Sequence, residues 1–283
     1  MMLEHKETFF ACACPYEEAR LVLYGAPYDS TASFRPGARF APQAMRSDSF
    51  GIETYSPYQD KDVADSLIFD SGDLELPFGR PEPALQRIEQ RTRTILADGK
   101  LPLLIGGEHL VSLGAIRAAY QFYPALHILH FDAHTDLRDD YLGESLSHAT
   151  VLRRAWELLG DGRLWQFGIR SGERAEFQWA KEHTYLHPFD FAGLEEAIEQ
   201  LQGQPVYFTL DLDVLDPGYL PGTGTPEAGG VDFTALLGAI RKLAVLNMVG
   251  CDMVELSPPL DQSGASTALA LKVLRELILV LHK

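Results

Sequence analysis

The segment Leu129-His130-Phe131-Asp132-Ala133-His134-Thr135-Asp136 is an apolar strand sequence that turns polar at its end. Strand side chains alternate faces, so if extended backbone persists through this stretch, Asp132, His134 and Asp136 point the same way. Two carboxylates and an imidazole then share a small volume with no Lys or Arg among them. Buried carboxylates without a counter-charge are costly and repel one another, and a bound cation is the simplest remedy. The alternative is a strand end running into a solvated acidic loop. A second apolar run, Val206 to Pro217, also ends in same-face acids, Asp211 and Asp213. Two buried strands with the same abnormality point to one shared site. Asp216 has the other parity and precedes a proline, which makes it a turn residue.

His109 follows Gly106-Gly107-Glu108 at another strand end, where a histidine can equally cap the next helix. Counted with the others, it completes four carboxylates and two imidazoles. Two divalent cations would balance the four negative charges, and an oxygen-rich donor set without thiolate favours a hard metal such as Mn²⁺ over structural zinc. Two ions about 3.5–4 Å apart can share a water and lower its pKa toward roughly 7, so the reaction class is metal-assisted hydrolysis. Glu255 is an acid in an apolar run; it can pair a basic core residue or hold a cationic substrate group bidentately. By parity, Asp252 and Glu255 face different sides. His148, at a loop-to-helix junction, is either a surface residue or, beside an ionised water, a proton shuttle. His130 shares the parity of Asp132 but sits deeper, where core packing is expected, and His5, His127, His183, His187 and His282 are read as ordinary residues. Gly222-Thr223-Gly224 lacks the spacing and strand-to-helix setting of a dinucleotide fingerprint.

The elements that must position these residues alternate along the chain. Strands are expected at Arg20 to Ala26, Leu67 to Asp70, Leu101 to Ile105, Leu126 to Asp132, Leu164 to Gly168, Thr184 to His187, Val206 to Asp211 and Asn247 to Glu255. Between and after them come helices from Pro42 through Met45, Pro81 to Asp98, after His109 to about Phe122, Ala149 to Leu159, Glu173 to Glu182, Phe191 to Leu201, Phe233 to Leu243 and Gly264 to Leu281. Such alternation implies a parallel sheet covered on both faces. Eight strands fit a closed barrel or an open doubly wound sheet, and both place a site at the strand C-termini. The long loop Gly25 to Pro42 is of a length that is usually functional or disordered, and it could border the site or a subunit contact.

At 283 residues the chain fits one α/β domain, residues 1–283, without a linker. The formal charge of −16 disfavours nucleic acid and anionic membrane and suits a small cationic substrate. Met1 to Arg20 mixes acids with bases, and its apolar run Phe9 to Cys14 is too short for a signal core, so a cytoplasmic protein is expected. Cys12, Cys14 and Cys251 form neither a disulfide framework nor a zinc spacing and are read as reduced thiols.

Gly106-Gly107-Glu108-His109, Asp132-Ala133-His134-Thr135-Asp136, Ser147-His148-Ala149, Asp211-Leu212-Asp213-Val214-Leu215-Asp216-Pro217 and Val254-Glu255, in that order, resemble the ureohydrolase (arginase/agmatinase) family. The resemblance implies an open three-layer α/β/α architecture whose central parallel sheet of about eight strands has the third, eighth, seventh and fourth side by side at its centre. It also implies two Mn²⁺ per chain, one held by His109, Asp132, Asp136 and Asp211 and the other by Asp132, His134, Asp211 and Asp213. Glu255 would hold the substrate guanidinium, and His148 would pass a proton to the leaving amine. The segment from Arg138 to His148, with Gly222 to Glu227 and Ile169-Arg170-Ser171, looks like the agmatinase branch, which implies agmatine as substrate and putrescine and urea as products. Glu144 or Asp139 near the mouth would then meet the far-end amine, although both can equally be solvated loop acids. One departure is Ala149, where many members carry glycine. A homo-oligomer, hexamer or trimer, is implied by resemblance. The competing readings are the same chemistry on guanidinobutyrate or arginine, a related single-zinc deacetylase-like amidohydrolase, and a non-catalytic binder of polyamines or guanidines.

Overall fold

The computed structural model describes residues 8–282. The first seven residues, with His5 and the start of the stretch expected not to be a signal, lie outside it, as does Lys283. Eight parallel strands form one open sheet: β1 Leu21–Ala26, β2 Ile68–Asp73, β3 Leu101–Gly106, β4 His127–Phe131, β5 Leu164–Ile169, β6 Tyr185–Pro188, β7 Pro205–Asp211 and β8 Asn247–Val254. Their spatial order is β2-β1-β3-β8-β7-β4-β5-β6, so the third, eighth, seventh and fourth strands are adjacent at the centre and the barrel alternative is excluded.

Strand burial explains the layers. In β1, Leu21 and Leu23 enter one core while Val22, Tyr24 and Ala26 enter the other. The first core is covered by α1 Ala41–Asp48, α6 Leu194–Leu201, α7 Phe233–Lys242 and α8 Ala265–Leu281; the second by α2 Pro81–Ala97, α3 Val111–Phe122, α4 Val151–Leu159 and α5 Arg174–His183. Helix ends follow local chemistry. Pro81 opens α2, and Gly99 closes it at a φ of 70°, a left-handed turn that glycine takes without strain. Asp232 caps α7 by accepting from the Ala235 amide. Among the described residues no helix is long and apolar enough to cross a membrane.

Several expected boundaries move. The sixth strand is Tyr185–Pro188, the second runs on to Asp73, and the helix expected from Phe191 begins at Leu194. A short antiparallel hairpin, Tyr55–Ser56 with Lys61–Asp62, fills a stretch with no expected element. It docks through Ser56 Oγ and Gln59 Nε2, which donate to Glu276 Oε2 at 2.7 and 2.9 Å. Strands of two residues carry no readable period. All three cysteines are free.

Candidate metal centre

Strand register brings the acids together. Across the sheet centre Ile105, Met253, Leu210 and Phe131 pair in one row. Asp132 and Asp211 each follow that row directly, on strands that neighbour each other at the usual spacing of about 4.8 Å. Beyond this row the parity argument fails. β4 ends at Phe131, so Asp132, His134 and Asp136 lie on irregular backbone, and Asp136 has a φ of 53°. Asp213 lies in a 3₁₀ turn, Leu212–Val214, which Asp211 caps by accepting from the Asp213 amide at 2.8 Å. The side chains converge because turns redirect them after the strands have delivered them.

The result is two nests, one around His109 and one around His134, with Asp132 beside both. His109 Nδ1 is 3.0 Å from Asp132 Oδ2, 3.0 Å from Asp136 Oδ2 and 3.4 Å from Asp211 Oδ2. His134 Nδ1 is 3.0 Å from Asp213 Oδ2 and 3.4 Å from Asp132 Oδ1. All four acids and His109 are buried, and His134 is partly so. His109 Nδ1 finds no hydrogen bond of acceptable geometry although three carboxylates face it. Its other nitrogen approaches Thr209 Oγ1 at 2.9 Å, and Thr209 Oγ1 donates to Asp252 Oδ1 at 2.6 Å. The threonine proton is therefore committed to Asp252, and His109 Nε2–H is the donor to Thr209. A neutral His109 thus aims a lone pair at three carboxylates, a repulsive arrangement unless a cation lies between. Burial alone lowers both imidazoles, but the surrounding carboxylates override it and hold His109 and His134 well above their ordinary range. Burial and then the neighbouring Asp132 raise Asp136 to about 7, and burial with Asp213 and Asp132 raises Asp211. The cage calls for positive charge, as a proton or as a metal, and its donors are those of a hard divalent ion.

Glu255 stands beside this cage at a φ of 65°, with Oε1 accepting from the His109 amide at 2.7 Å. Asp252 points away into the Thr209 and Tyr207 hydroxyls, so the two acids do face different sides. Burial, then the charge of Glu108, pushes the Glu255 carboxyl well up, and burial pushes Glu108 to about 8. Glu108 accepts from the amide and hydroxyl of Thr31, at 3.0 Å (Oε2) and 2.8 Å (Oε1) respectively. The same Thr31 hydroxyl accepts from the His148 amide at 3.0 Å, while Ser33 Oγ lies 3.1 Å from His148 Nε2. Burial, and then the neighbouring His134 and His109, lowers His148 to about 4, so its ring is a free base at neutral pH.

These groups open on a cavity of about 370 Å³ whose wall includes Ser33, Phe34, Arg138, Tyr141, Glu173 and Glu227. The long loop after β1 thus borders the site. Glu144 does not line this cavity: it is exposed and edges a neighbouring depression with Tyr28, Leu142 and Ser147. Asp139 pairs with Arg154 at 2.5 Å on the surface. Both had been expected near the mouth, but the turn at Leu142 and Gly143, both at positive φ, carries the segment outward. Sequence reasoning missed Glu108, Thr31 and Glu227, whose roles come from tertiary docking alone. Asp216 is the expected turn residue, accepting from the Gly218, Gly229 and Gly230 amides.

An open parallel sheet with this donor set at its central strand tips defines a metal-dependent hydrolase. The chain belongs to the arginase family, whose model matches residues 19–280. It is 49% identical over 278 residues to an agmatinase of Bacillus subtilis, covering 96% of both chains. A guanidinobutyrase of Pseudomonas aeruginosa is 36% identical, with 91% of this chain and 85% of that protein covered. Among solved structures, the agmatine ureohydrolase of Thermoplasma volcanium is similar at a TM-score of 0.88 and 35% identity, over 97% of this chain and 94% of that one.

Proposed function

We propose that this enzyme hydrolyses agmatine to putrescine and urea, using two Mn²⁺ ions. His109, Asp132, Asp136 and Asp211 would hold one ion, and Asp132, His134, Asp211 and Asp213 the other. The orphaned Nδ1 of His109, faced by three carboxylates, is the observation that supports a cation here. When bound, the pair supplies the Lewis acidity that lets a water ionise near neutral pH.

The chain's own residues do the rest. Glu255, buried within the charge influence of Glu108 and with no ion-pair partner among the described residues, favours a cationic guanidinium and orients its carbon toward the nests. Hydroxide adds to that carbon, the bond to the butylamine nitrogen breaks as that nitrogen takes a proton, and urea and putrescine leave. His148 is the carrier of that proton: its ring accepts one and delivers it to the amine, while Thr31 holds its backbone in place.

The choice of agmatine rests on the wall. Glu173, Glu176 and Glu227 line the cavity beyond the nests. The cation there, Arg138, already lies 3.0 Å from Glu173 and 3.7 Å from Glu176. Such a wall suits a substrate tail ending in an amine over one ending in a carboxylate, and the agmatinase relative at 49% identity supports it. Metal-loaded protein offered agmatine, arginine and 4-guanidinobutyrate should release urea fastest from agmatine. Preference for either of the others rejects the substrate, and no urea from any rejects the class.

We further propose one domain spanning the chain and, from its acidic composition and free thiols, a cytoplasmic setting. A homo-oligomer, hexamer or trimer, rests on the resemblance to the ureohydrolase family alone. Light scattering of the purified protein tests the assembly.

A further inference from the structure

Asp132 is common to both nests, and its carboxylate must present each oxygen to a different one. A third histidine, His130, lies against it. The ring is fully buried, with Nε2 2.8 Å from Asp132 Oδ2. His109, His130 and Asp132 offer ligand atoms close enough together for one metal, so His130 has two readings, ligand or hydrogen-bond donor.

The surroundings of the ring decide between them. Gln166, also fully buried, has Nε2 2.8 Å from the Thr135 carbonyl and 3.1 Å from His130 Nδ1. A carbonyl oxygen only accepts, so the group facing Thr135 is the NH₂, and the amide orientation is fixed. Its Oε1 is then placed to accept from Thr184 Oγ1 at 3.3 Å. The second amide N–H meets His130 Nδ1, which must accept it. A neutral imidazole carries one proton, and with Nδ1 accepting, that proton is on Nε2, directed at Asp132 Oδ2.

We infer that His130 is a positioning residue for the metal centre: the Thr135 carbonyl, acting through Gln166, fixes its tautomer, and its Nε2–H pins the shared carboxylate of Asp132. A protonated Nε2 has no lone pair to give a metal. The other oxygen, Oδ1, accepts from the His134 amide at 2.5 Å. Each oxygen thus has one lone pair held by protein and one left for the nest it faces. Donors outside the ligand set commonly change metal affinity by about 10- to 100-fold when lost.

The inference rests on the metal-centre reading above, and the test separates the two. Full-length protein and the variants His130→Phe, His130→Gln and Gln166→Leu are stripped, then titrated with Mn²⁺ against a competing chelator. Stoichiometry is read at saturation, and circular dichroism checks folding. Wild type should bind two ions. His130→Phe should bind two with affinity about 10- to 100-fold weaker, and kcat, depressed at low Mn²⁺, should recover with excess metal while KM for agmatine stays near wild type. Gln at position 130 can place its amide nitrogen near the original Nε2, so His130→Gln should recover most of the affinity. Gln166→Leu, which touches no ligand, should weaken metal binding because the tautomer is no longer fixed. Wild-type affinity in a folded His130→Phe, or equal losses in the Phe and Gln variants, overturns the positioning role. One ion at saturation in His130→Phe makes His130 a ligand and also overturns it. A wild type that takes up no metal pair rejects the metal centre itself.

Discussion

At the scale of single residues, the site is governed by where hydrogens sit. His109 has its Nε2–H spent on Thr209, and Thr209 has its hydroxyl proton spent on Asp252, which leaves Nδ1 free toward the acids. Thr209→Val keeps the shape and removes the hydroxyl, stranding a buried N–H and part of a buried carboxylate. We expect it to cost about 1–3 kcal/mol of stability in denaturant melts, and to weaken Mn²⁺ binding in the chelator titration. His148→Ala removes only the proton carrier, so kcat should fall about 10²–10⁴-fold with two ions still bound, as measured by urea release and metal analysis. Loss of metal in that variant would place His148 among the ligands. The wall acid Glu227, which accepts from Ser171 Oγ at 2.9 Å, gives a third test. Glu227→Gln should raise KM for agmatine more than for an uncharged-tail guanidine, and equal effects on both would remove it from the amine's path.

At the scale of elements, the order and type of the eight strands and eight helices were legible because a parallel sheet buried on both faces writes each strand as a short apolar run. Acids at the ends of such runs are conspicuous, and that is what singles out the six candidate donor residues. Their geometry was legible only in part: parity grouped Asp132 with Asp136 and Asp211 with Asp213, but a left-handed residue and a 3₁₀ turn bring them together. His130 was read as packing because a histidine inside an apolar strand looks the same whether or not its ring has partners. Glu144 was expected near the amine because nothing in the segment reveals that its turn leads outward. Gly107 carries its reason in the fold: a Cβ there would lie 1.8 Å from the Tyr28 carbonyl oxygen, so the β3 tip can pass under the loop that follows β1 only with glycine. Gly107→Ala should displace that loop together with His109, lowering stability by about 1–3 kcal/mol and weakening metal uptake, while a wild-type melting curve would show that the loop has room to shift.

At the scale of the whole molecule, the metal centre couples to pH. His109 and His134 are held above their ordinary range and Asp136 near 7 while no cation is bound, so the protonated forms compete with metal. Mn²⁺ uptake should therefore release protons, and affinity should rise as pH increases through about 7, because fewer protons then have to be displaced. Calorimetry in buffers of different ionisation heat would count the protons; a release of zero would contradict this electrostatic account. Because folded protein binds the ions and the unfolded chain does not bind them as a cage, chelation should lower the melting temperature. The stabilisation lost would be about 2.7 kcal/mol where free metal had stood at a hundred times its dissociation constant.

The site residues come from four neighbouring strand tips that lie far apart along the chain, His109 after β3, Asp132 after β4, Asp211 at the end of β7 and Glu255 after β8. Since β8 is the last of these eight strands along the described chain yet sits between β3 and β7, a half-assembled chain lacks Glu255 at the centre and brings the His109 tip against neither partner tip. On the proposed reading, hydrolytic competence is withheld until that strand slots in, and uptake of the metal pair becomes a report that the middle of the sheet is complete.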